Sequence, residues 1–273
     1  MLRYVSRWLT IWSGPPDMCR FLAYTGEPVF LDTLLIEPAS SLVSQSLAAR
    51  EAKTPVNGDG CGIGWYGARP DPGIYRGTLP AWSDANLASL CRQVSAPMFL
   101  AHVRSATSGE VSMANCHPFA AGRHLFMHNG QIGGYDRIRR AVEAMIPDDL
   151  YARRRGNGDS EALFLAALGH GLDTDPVAAF SHTLGVCMRI MQAGAIDQAL
   201  RFTAILADGE NLRAIRWASD GRPPSLYWRR IPTGIAIASE PFGDGGDTWQ
   251  TVPPGSVLTA TPDDVSFAEF AVA

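Results

Sequence analysis

Residues 98–106 read MFLAHVRSA, an apolar run that carries one arginine, Arg104, near its end. A short apolar run of this kind, bounded by turn-forming or polar residues, is typical of a buried β-strand. Two similar runs, Gly60–Gly67 and His124–Asn129, are bounded by Gly, Pro or Asn. The first half of the chain therefore predicts buried strands joined by tight loops.

A helical block follows these strands. Apolar residues recur at three- and four-residue spacing in Tyr135–Ile146, Ser160–His170 and Pro176–Ala193, with Asp159 or Ser160 placed as an N-cap. Strand-like runs then return: Phe202–Ala207, Arg213–Ala218, Ser225–Arg230, Gly234–Ala238, Ser256–Thr261 and Ser266–Ala271. This order, without regular βαβ alternation, predicts an α+β protein with largely antiparallel sheets and argues against a Rossmann or barrel enzyme.

Composition limits the classes of partner. The 273 residues are 46% hydrophobic and 18% charged, as in an ordinary globular protein. A formal charge of −4 gives no general attraction to nucleic acid or to anionic membranes, so we expect neither as a partner. No run approaches the ~20 apolar residues of a membrane-spanning helix. The five cysteines are odd in number and lack a CxxC pair, which favours a reducing cytoplasm over a disulfide framework.

Residues 1–18 differ from the rest of the chain. Two arginines flank a few apolar residues, and Gly14-Pro15-Pro16-Asp17 then interrupts any helix. The apolar part is shorter than the about 7–15 residues of a secretory signal. Three interpretations stay open: a removed propeptide, a start codon upstream of the true one at Met18, and a retained amphipathic tail. We expect a leader, 1–18, absent from the mature protein, and one domain, 19–273, because no linker or repeat divides it.

Four short segments combine Gly or Asn with a functional polar residue: Met18-Cys19-Arg20-Phe21, His102–Thr107, His128-Asn129-Gly130 and Gly158-Asp159-Ser160-Glu161. Each alone has an ordinary interpretation. A cysteine near an N-terminus is usually a small apolar residue, and Asn-Gly is the favoured pair of a type I′ hairpin turn. Arg104 stands apart, because an arginine inside an apolar strand is costly without a partner.

Together and in this order, the four segments resemble the class II glutamine amidotransferases, N-terminal-nucleophile enzymes whose first-residue cysteine releases ammonia from glutamine. Asn115-Cys116-His117-Pro118-Phe119, Ala238-Ser239-Glu240-Pro241 and Pro254–Val257 are also similar to family blocks, so the resemblance runs from Met18 to about Thr261. The stretch Asn57–Tyr66 is most similar to the small stand-alone branch, which includes the ergothioneine-pathway γ-glutamyl amidase and the amidotransferase subunit of yeast glutathione degradation. The resemblance implies a four-layer αββα N-terminal-nucleophile hydrolase sandwich.

A cysteine at an N-terminus can use its own α-amine, with an unperturbed pKa near ~7.7–8.0, as the general base for its thiol. By the resemblance, Cys19 is the nucleophile and residues 1–18 are absent from the working enzyme. Attack on an amide builds negative charge on its oxygen, which fixed donors stabilise. The resemblance assigns this oxyanion hole to the Asn129 side-chain amide and the Gly130 backbone N–H.

A γ-glutamyl group carries an α-carboxylate and an α-ammonium, which require a cationic fork and an acceptor. By the resemblance, Arg104 and Asp159 supply this pair, and Asp159 is also expected to cap the helix that begins at Ser160. Thr107 and His117 match family positions that line the glutamine pocket. His117 is equally compatible with a core histidine.

The resemblance thus implies hydrolysis of a γ-glutamyl amide, either glutamine or a γ-glutamyl compound, through a thioester on Cys19, with no cofactor or metal. Only a short tail follows about Thr261, so water is expected to be the acceptor. One alternative is a glutaminase subunit that passes ammonia to a separate synthase, and another is a non-catalytic γ-glutamyl-binding subunit. A zinc site built from Cys61, Cys116, His117 and His102 has a spacing that matches no common site. The assemblies left open are a complex with an ammonia-accepting or peptidase subunit and a homodimer.

Overall fold

A computed structural model describes residues 19–51, 56–105, 110–243 and 248–273. Its strands are β1 (Arg20–Phe30), β2 (Cys61–Tyr66), β3 (Gly73–Gly77), β4 (Ser95–Val103), β5 (Phe119–Ala121), β6 (His124–Gln131), β7 (Arg201–Ala207), β8 (Leu212–Ala218), β9 (Tyr227–Ile231), β10 (Gly234–Ala238), β11 (Gln250–Thr251), β12 (Ser256–Ala260) and β13 (Val265–Glu269). In these ranges, seven strands form one sheet, ordered β11-β9-β10-β1-β4-β2-β3, and six form another, ordered β13-β12-β8-β7-β6-β5. The ladders between neighbouring strands are antiparallel, as predicted.

The helices fall into two groups along the chain. They are α1 (Asp32–Leu35), α2 (Leu42–Leu47), α3 (Ala85–Gln93), α4 (Tyr135–Glu143), α5 (Asp148–Tyr151), α6 (Asp159–Gly169) and α7 (Pro176–Ala193). Short 3₁₀ turns occur at Ala81–Ser83 and Met113–Asn115. Within the described ranges, none of the helices combines the length and the apolar character that a bilayer span requires.

Successive side chains of a strand point to opposite faces of its sheet, so the apolar core consists of three clusters, one between the two sheets and one between each sheet and its helices. On β4, Phe99 packs with residues of α1, α2 and α3, whereas Leu100 faces the six-stranded sheet. On β6, Leu125 faces the seven-stranded sheet, whereas Phe126 packs with residues of α4, α6 and α7. The layers are therefore helix, sheet, sheet, helix, which confirms the predicted αββα sandwich.

The element order differs from the prediction in one respect. The helical block is confirmed in α4, α6 and α7, and the strands predicted after it are present. Three helices that precede this block, α1, α2 and α3, lie between β1 and β4 and were not identified from the sequence. Since α1 and α2 span only 4 and 6 residues, neither is long enough for a helical periodicity of apolar residues to be visible.

Candidate active site

Cys19 lies at the start of the central strand of the seven-stranded sheet. β1 pairs with β4 from Arg20 opposite Val103, and continuing this register by one residue brings Cys19 opposite Arg104. The Cys19 Sγ lies 3.4 Å from the Ser105 backbone nitrogen and 3.5 Å from the Ser105 carbonyl oxygen. The predicted nucleophile and the predicted arginine are therefore neighbours across one ladder.

The carbonyl of Cys19 connects the two sheets. Its oxygen accepts a hydrogen bond from the side-chain amide of Asn129 at 3.1 Å and another from Arg20 Nη1 at 2.9 Å. Asn129 belongs to β6 of the six-stranded sheet, 110 positions further along the chain. Two residues that the sequence motifs predict to be catalytic are thus in direct contact.

The environment of the Cys19 thiol opposes its ionisation. Burial raises the pKa of this thiol, because a thiolate loses its hydration there. The hydrogen bond from Ser105 and the positive charges of Arg104 and Arg20 lower the pKa but do not offset the burial. At neutral pH the group is therefore a thiol, and a nearby base has to remove its proton before it can attack.

Asn129 and Gly130 lie inside a strand. β6 stays paired with β7 through Gln131, so the hairpin-turn interpretation of His128-Asn129-Gly130 is wrong. Gly130 has φ of +149°, and a Cβ at this position would lie 2.0 Å from the Arg201 carbonyl oxygen. The ladder therefore overrides the local turn preference of Asn-Gly, and only glycine fits.

Arg104 follows directly after β4 and is 6% exposed. Its backbone N–H donates to the Gly60 carbonyl at 2.8 Å, and its Nη1 donates to the Glu110 carbonyl at 3.2 Å. These bonds hold a buried guanidinium beside Cys19. A cation placed this way can bind a carboxylate with two parallel hydrogen bonds.

Asp159 is the first residue of α6, and the expected cap is wrong. Gly158 occupies the N-cap position without a side-chain hydrogen bond. The Asp159 carboxylate instead accepts the backbone N–H of Ile132 at 2.8 Å, in the loop after β6. It also borders a surface pocket of about 300 Å³ that Gln131 and Gln198 line. The carboxylate is therefore tied to the strand that carries Asn129 and Gly130.

His102 and His117 stack on each other at this end of the space between the sheets, whereas a third buried histidine, His128, lies on the opposite face of β6 against α6. The rings of His102 and His117 are 4.3 Å apart between centroids, and His117 also meets the edge of Phe119 at 4.6 Å. Burial lowers the pKa of His102 to about 3 and holds that of His117 well below its usual value. His128 bonds to the Ser160 hydroxyl and to the Arg201 carbonyl at 2.9 and 3.2 Å. His117 has the surroundings of a core histidine, and its role in the pocket stays a prediction.

Two of the predicted features fall outside the described residues. Thr107 belongs to residues 106–109 and the leader comprises residues 1–18, so the structure tests neither. In the described parts of the chain, no group of three His, Cys, Asp or Glu side chains is placed to hold a metal ion.

The sequence profile of the class-II glutamine amidotransferases matches residues 33–232. The chain belongs to this family. A probable glutamine amidotransferase of Saccharomyces cerevisiae, DUG3, is 37% identical over 89% of this chain and 81% of its own length. The γ-glutamyl-hercynylcysteine sulfoxide hydrolase of Mycobacterium tuberculosis is 31% identical over 91% of this chain and 95% of its own.

Solved structures of amidotransferases share this fold. A glutamine aminotransferase class-II domain protein from Silicibacter pomeroyi superposes with a TM-score of 0.76 at 35% identity, over 93% of this chain and all of its own. The glutamine phosphoribosylpyrophosphate amidotransferase of B. subtilis superposes with a TM-score of 0.65 at 13% identity, over 93% of this chain and 50% of its own. The second likeness supports the fold alone.

One feature of this class-II amidotransferase was not identified from the sequence. Arg20 and Glu240 form a buried ion pair at 3.0 Å, with side chains 0% and 3% exposed. The Glu240 carboxylate also accepts the backbone N–H groups of Arg50 and Glu51 at 3.1 and 2.9 Å. Because Arg20 also bonds to the Cys19 carbonyl, the pair supports the backbone of the predicted nucleophile. A charged residue directly after Cys19, within an apolar run, was the available signal.

Proposed function

We propose that this protein hydrolyses a γ-glutamyl amide through a γ-glutamyl thioester on Cys19. The observation that carries the proposal is the 3.1 Å hydrogen bond between Asn129 and the Cys19 carbonyl, which joins nucleophile and oxyanion donor across the two sheets. The relatives named as a glutamine amidotransferase and as a γ-glutamyl hydrolase support the same reaction class.

The raised pKa of the Cys19 thiol makes a general base necessary. The α-amine of Cys19 is the base we propose, which requires removal of residues 1–18 or translation from Met18 with loss of that methionine. The amine takes the thiol proton as the sulfur attacks the amide carbon. It then returns a proton to the departing nitrogen, which leaves a thioester on Cys19. Water hydrolyses this thioester and restores the thiol.

Negative charge on the attacked amide oxygen requires donors that are already in place. An amide nitrogen carries two hydrogens, so Asn129 can bond the Cys19 carbonyl with one and the oxyanion with the other. The Gly130 backbone N–H is the second donor that we propose. Its positive φ orients this part of β6 in a way that no other residue reproduces without strain.

Arg104 and Asp159 are the proposed binding groups for the α-carboxylate and the α-ammonium of the substrate. Both are nearly buried, at 6% and 7% exposure, so each favours a ligand group of opposite charge. Thr107 and His117 are proposed to complete the pocket.

Water is the acceptor that we propose, and a reducing cytoplasm is the proposed location, in keeping with five free cysteines. Transfer of ammonia to a separate synthase and a non-catalytic γ-glutamyl-binding subunit are the competing functions. Hydrolysis of L-γ-glutamyl-p-nitroanilide separates hydrolase from binding subunit, because only the hydrolase releases p-nitroaniline.

The test compares three preparations: the chain from Met1, the chain beginning at Cys19, and the latter with one alanine added before Cys19. Intact mass reports the N-terminus, and a glutamine-mimicking diazoketone reports nucleophile competence. We expect one adduct and release of p-nitroaniline only where Cys19 is the first residue. Equal turnover with the added alanine would remove the α-amine from the mechanism. Binding without turnover in all three would favour the binding subunit.

A further inference from the structure

Asn115 lies between the two charged residues of the proposed substrate site. Its Nδ2 donates to the Glu110 carbonyl at 2.9 Å, and this same carbonyl accepts from Arg104 Nη1 at 3.2 Å. Its Oδ1 accepts the backbone N–H groups of Asn157 and Gly158 at 2.9 and 3.3 Å. Asp159 is the next residue. A single side chain thus joins the segment that holds Arg104 to the segment that presents Asp159.

The hydrogen bonds of Asn115 fix the orientation of its amide. Besides the Glu110 carbonyl, Nδ2 donates to Asn157 Oδ1 at 2.7 Å, so both of its hydrogens meet acceptors. Both bonds to Oδ1 come from N–H donors. A carboxamide offers two donors and two acceptor positions, and all four are used here. Reversing the amide would place donor against donor on one side.

The segment before Asp159 is packed closely against this amide. A Cβ on Gly156 would lie 2.3 Å from Asn115 Oδ1. The Glu161 carboxylate accepts the backbone N–H of Gly156 at 2.7 Å and that of Arg155 at 3.1 Å. Asn115 is itself 5% exposed. A shift of the Asn115 side chain would therefore displace the segment from Arg155 to Gly158, and with it Asp159.

We propose that Asn115 is a positioning residue that fixes the separation of Arg104 and Asp159, so that the α-carboxylate and the α-ammonium of the substrate are recognised as one unit. This inference rests on the proposed function, because it assigns a ligand to each charge. The enzyme should therefore prefer γ-amides that carry both a free α-carboxylate and a free α-ammonium over amides that lack either charged group. The Nδ2 side of Asn115 governs recognition of the carboxylate, and the Oδ1 side governs that of the ammonium.

Three p-nitroanilides with the same leaving group test whether the two sides of the Asn115 amide govern the two charges of the substrate separately. L-γ-Glutamyl-p-nitroanilide carries both charges, 4-aminobutanoyl-p-nitroanilide lacks the carboxylate, and glutaryl-p-nitroanilide lacks the amine. Asn115→Asp keeps an acceptor for the backbone N–H groups of Asn157 and Gly158 but loses the donors to the Glu110 carbonyl and to Asn157 Oδ1. Asn157→Asp is the matched control, because it adds the same charge nearby and keeps the acceptor for Asn115 Nδ2.

In Asn115→Asp, we expect the kcat/KM preference for the γ-glutamyl over the 4-aminobutanoyl substrate to fall about tenfold, the scale of one lost hydrogen bond. Its preference over the glutaryl substrate should stay within about twofold. Asn115→Ala should lower both preferences, and Asn157→Asp neither. The inference is overturned if Asn115→Asp slows all three substrates equally, or if Asn157→Asp reproduces its effect. An unaltered enzyme beginning at Cys19 that cleaves none of the three would instead contradict the proposed function.

Discussion

The middle and one end of the space between the two sheets differ in chemistry, although the same strands line both. In the middle, Leu100 of β4 and Met127 of β6 are fully buried among apolar side chains. His102 is the next residue after Leu100 on the same face of β4, and Asn129 is the next after Met127 on the same face of β6. On β1, the same spacing separates the buried Phe21 from Cys19.

This difference shows how a rigid core can position reactive groups. A strand that is fixed by its apolar residues leaves little freedom to the next side chain on the same face, about 6–7 Å further along. The middle should therefore determine stability, and the end should determine activity. Substitutions two residues apart can separate these contributions.

The largest effect is expected at Cys19. Cys19→Ser should lower kcat by at least about 10³-fold, because a hydroxyl is a far weaker nucleophile than a thiol when it has the same base. Unfolding in urea should be unchanged, and a γ-glutamyl ligand should still bind. Cys91→Ala, in α3 among the apolar side chains that cover the outer face of the seven-stranded sheet, serves as the control and should retain activity. Turnover by the serine variant at the original rate would rule out Cys19 as the nucleophile.

Asn129 is expected to come next. Asn129→Ala should lower kcat by roughly 10²–10³-fold with a smaller change in KM, because an oxyanion donor acts mainly in the transition state. Met127→Leu is the paired control on the same face of β6 and should leave kcat within about twofold. Steady-state kinetics on L-γ-glutamyl-p-nitroanilide measure both. A change confined to KM would argue against the oxyanion role.

The apolar middle should respond in the opposite way. Leu100→Ala should reduce the free energy of unfolding by about 3 kcal/mol, because it removes buried methyl groups and leaves a cavity. The folded fraction should keep kcat/KM within about twofold. Urea titration and active-site titration with the diazoketone separate the two quantities. A large loss of kcat in correctly folded protein would mean that the two regions are not separable.

The smallest effect concerns pH and the buried histidines. In the folded protein, burial lowers the pKa of His102 to about 3, whereas in the unfolded chain this histidine has its ordinary pKa of about 6.5. Between these two pH values, His102 is protonated in the unfolded chain but neutral in the folded protein, so lowering the pH favours unfolding. Stability should thus rise with pH from about 3 to about 6.5 and stay level above that range. Through His102 alone, the free energy of unfolding should be about 2 kcal/mol lower at pH 5 than at pH 7.5.

Urea unfolding of three proteins at these two pH values measures this contribution. His102→Gln should reduce the pH dependence relative to the unaltered protein. Met127→Leu, which changes a buried side chain between the sheets and removes no titratable group, should leave it unchanged. The same pH dependence in all three proteins would assign the effect to other groups.

Much of the fold was predictable, because long elements carry their period in the sequence. The apolar spacing of α7 and the short runs of β4 and β6 each have a plain local signature. Two local preferences were misleading. Asn129-Gly130 favours a turn and Asp159 favours a cap, but pairing with β7 and the N–H of Ile132 determine the actual structure. Tertiary partners decided both cases.

The sequence predicted those residues of the candidate site that belong to short motifs, but not the residues that support them from distant parts of the chain. Cys19, Arg104, Asn129 and Asp159 belong to short motifs, and the first three of these converge at the end of the inter-sheet space. The support provided by Glu240 depends on a partner 220 positions away, and no local pattern indicates that distance. The role of Asn115 likewise appears only when two separate loops meet.

The central position of β1 has a mechanical consequence. This strand is paired with β10 on one side and β4 on the other. A molecular machine that grips the chain at Cys19 would have to break both ladders to extract it. At the other end of the chain, β13 has a ladder with β12 alone among the described strands. The strand that directly follows the proposed nucleophile is thus held along both of its edges, whereas the last described strand is held along one.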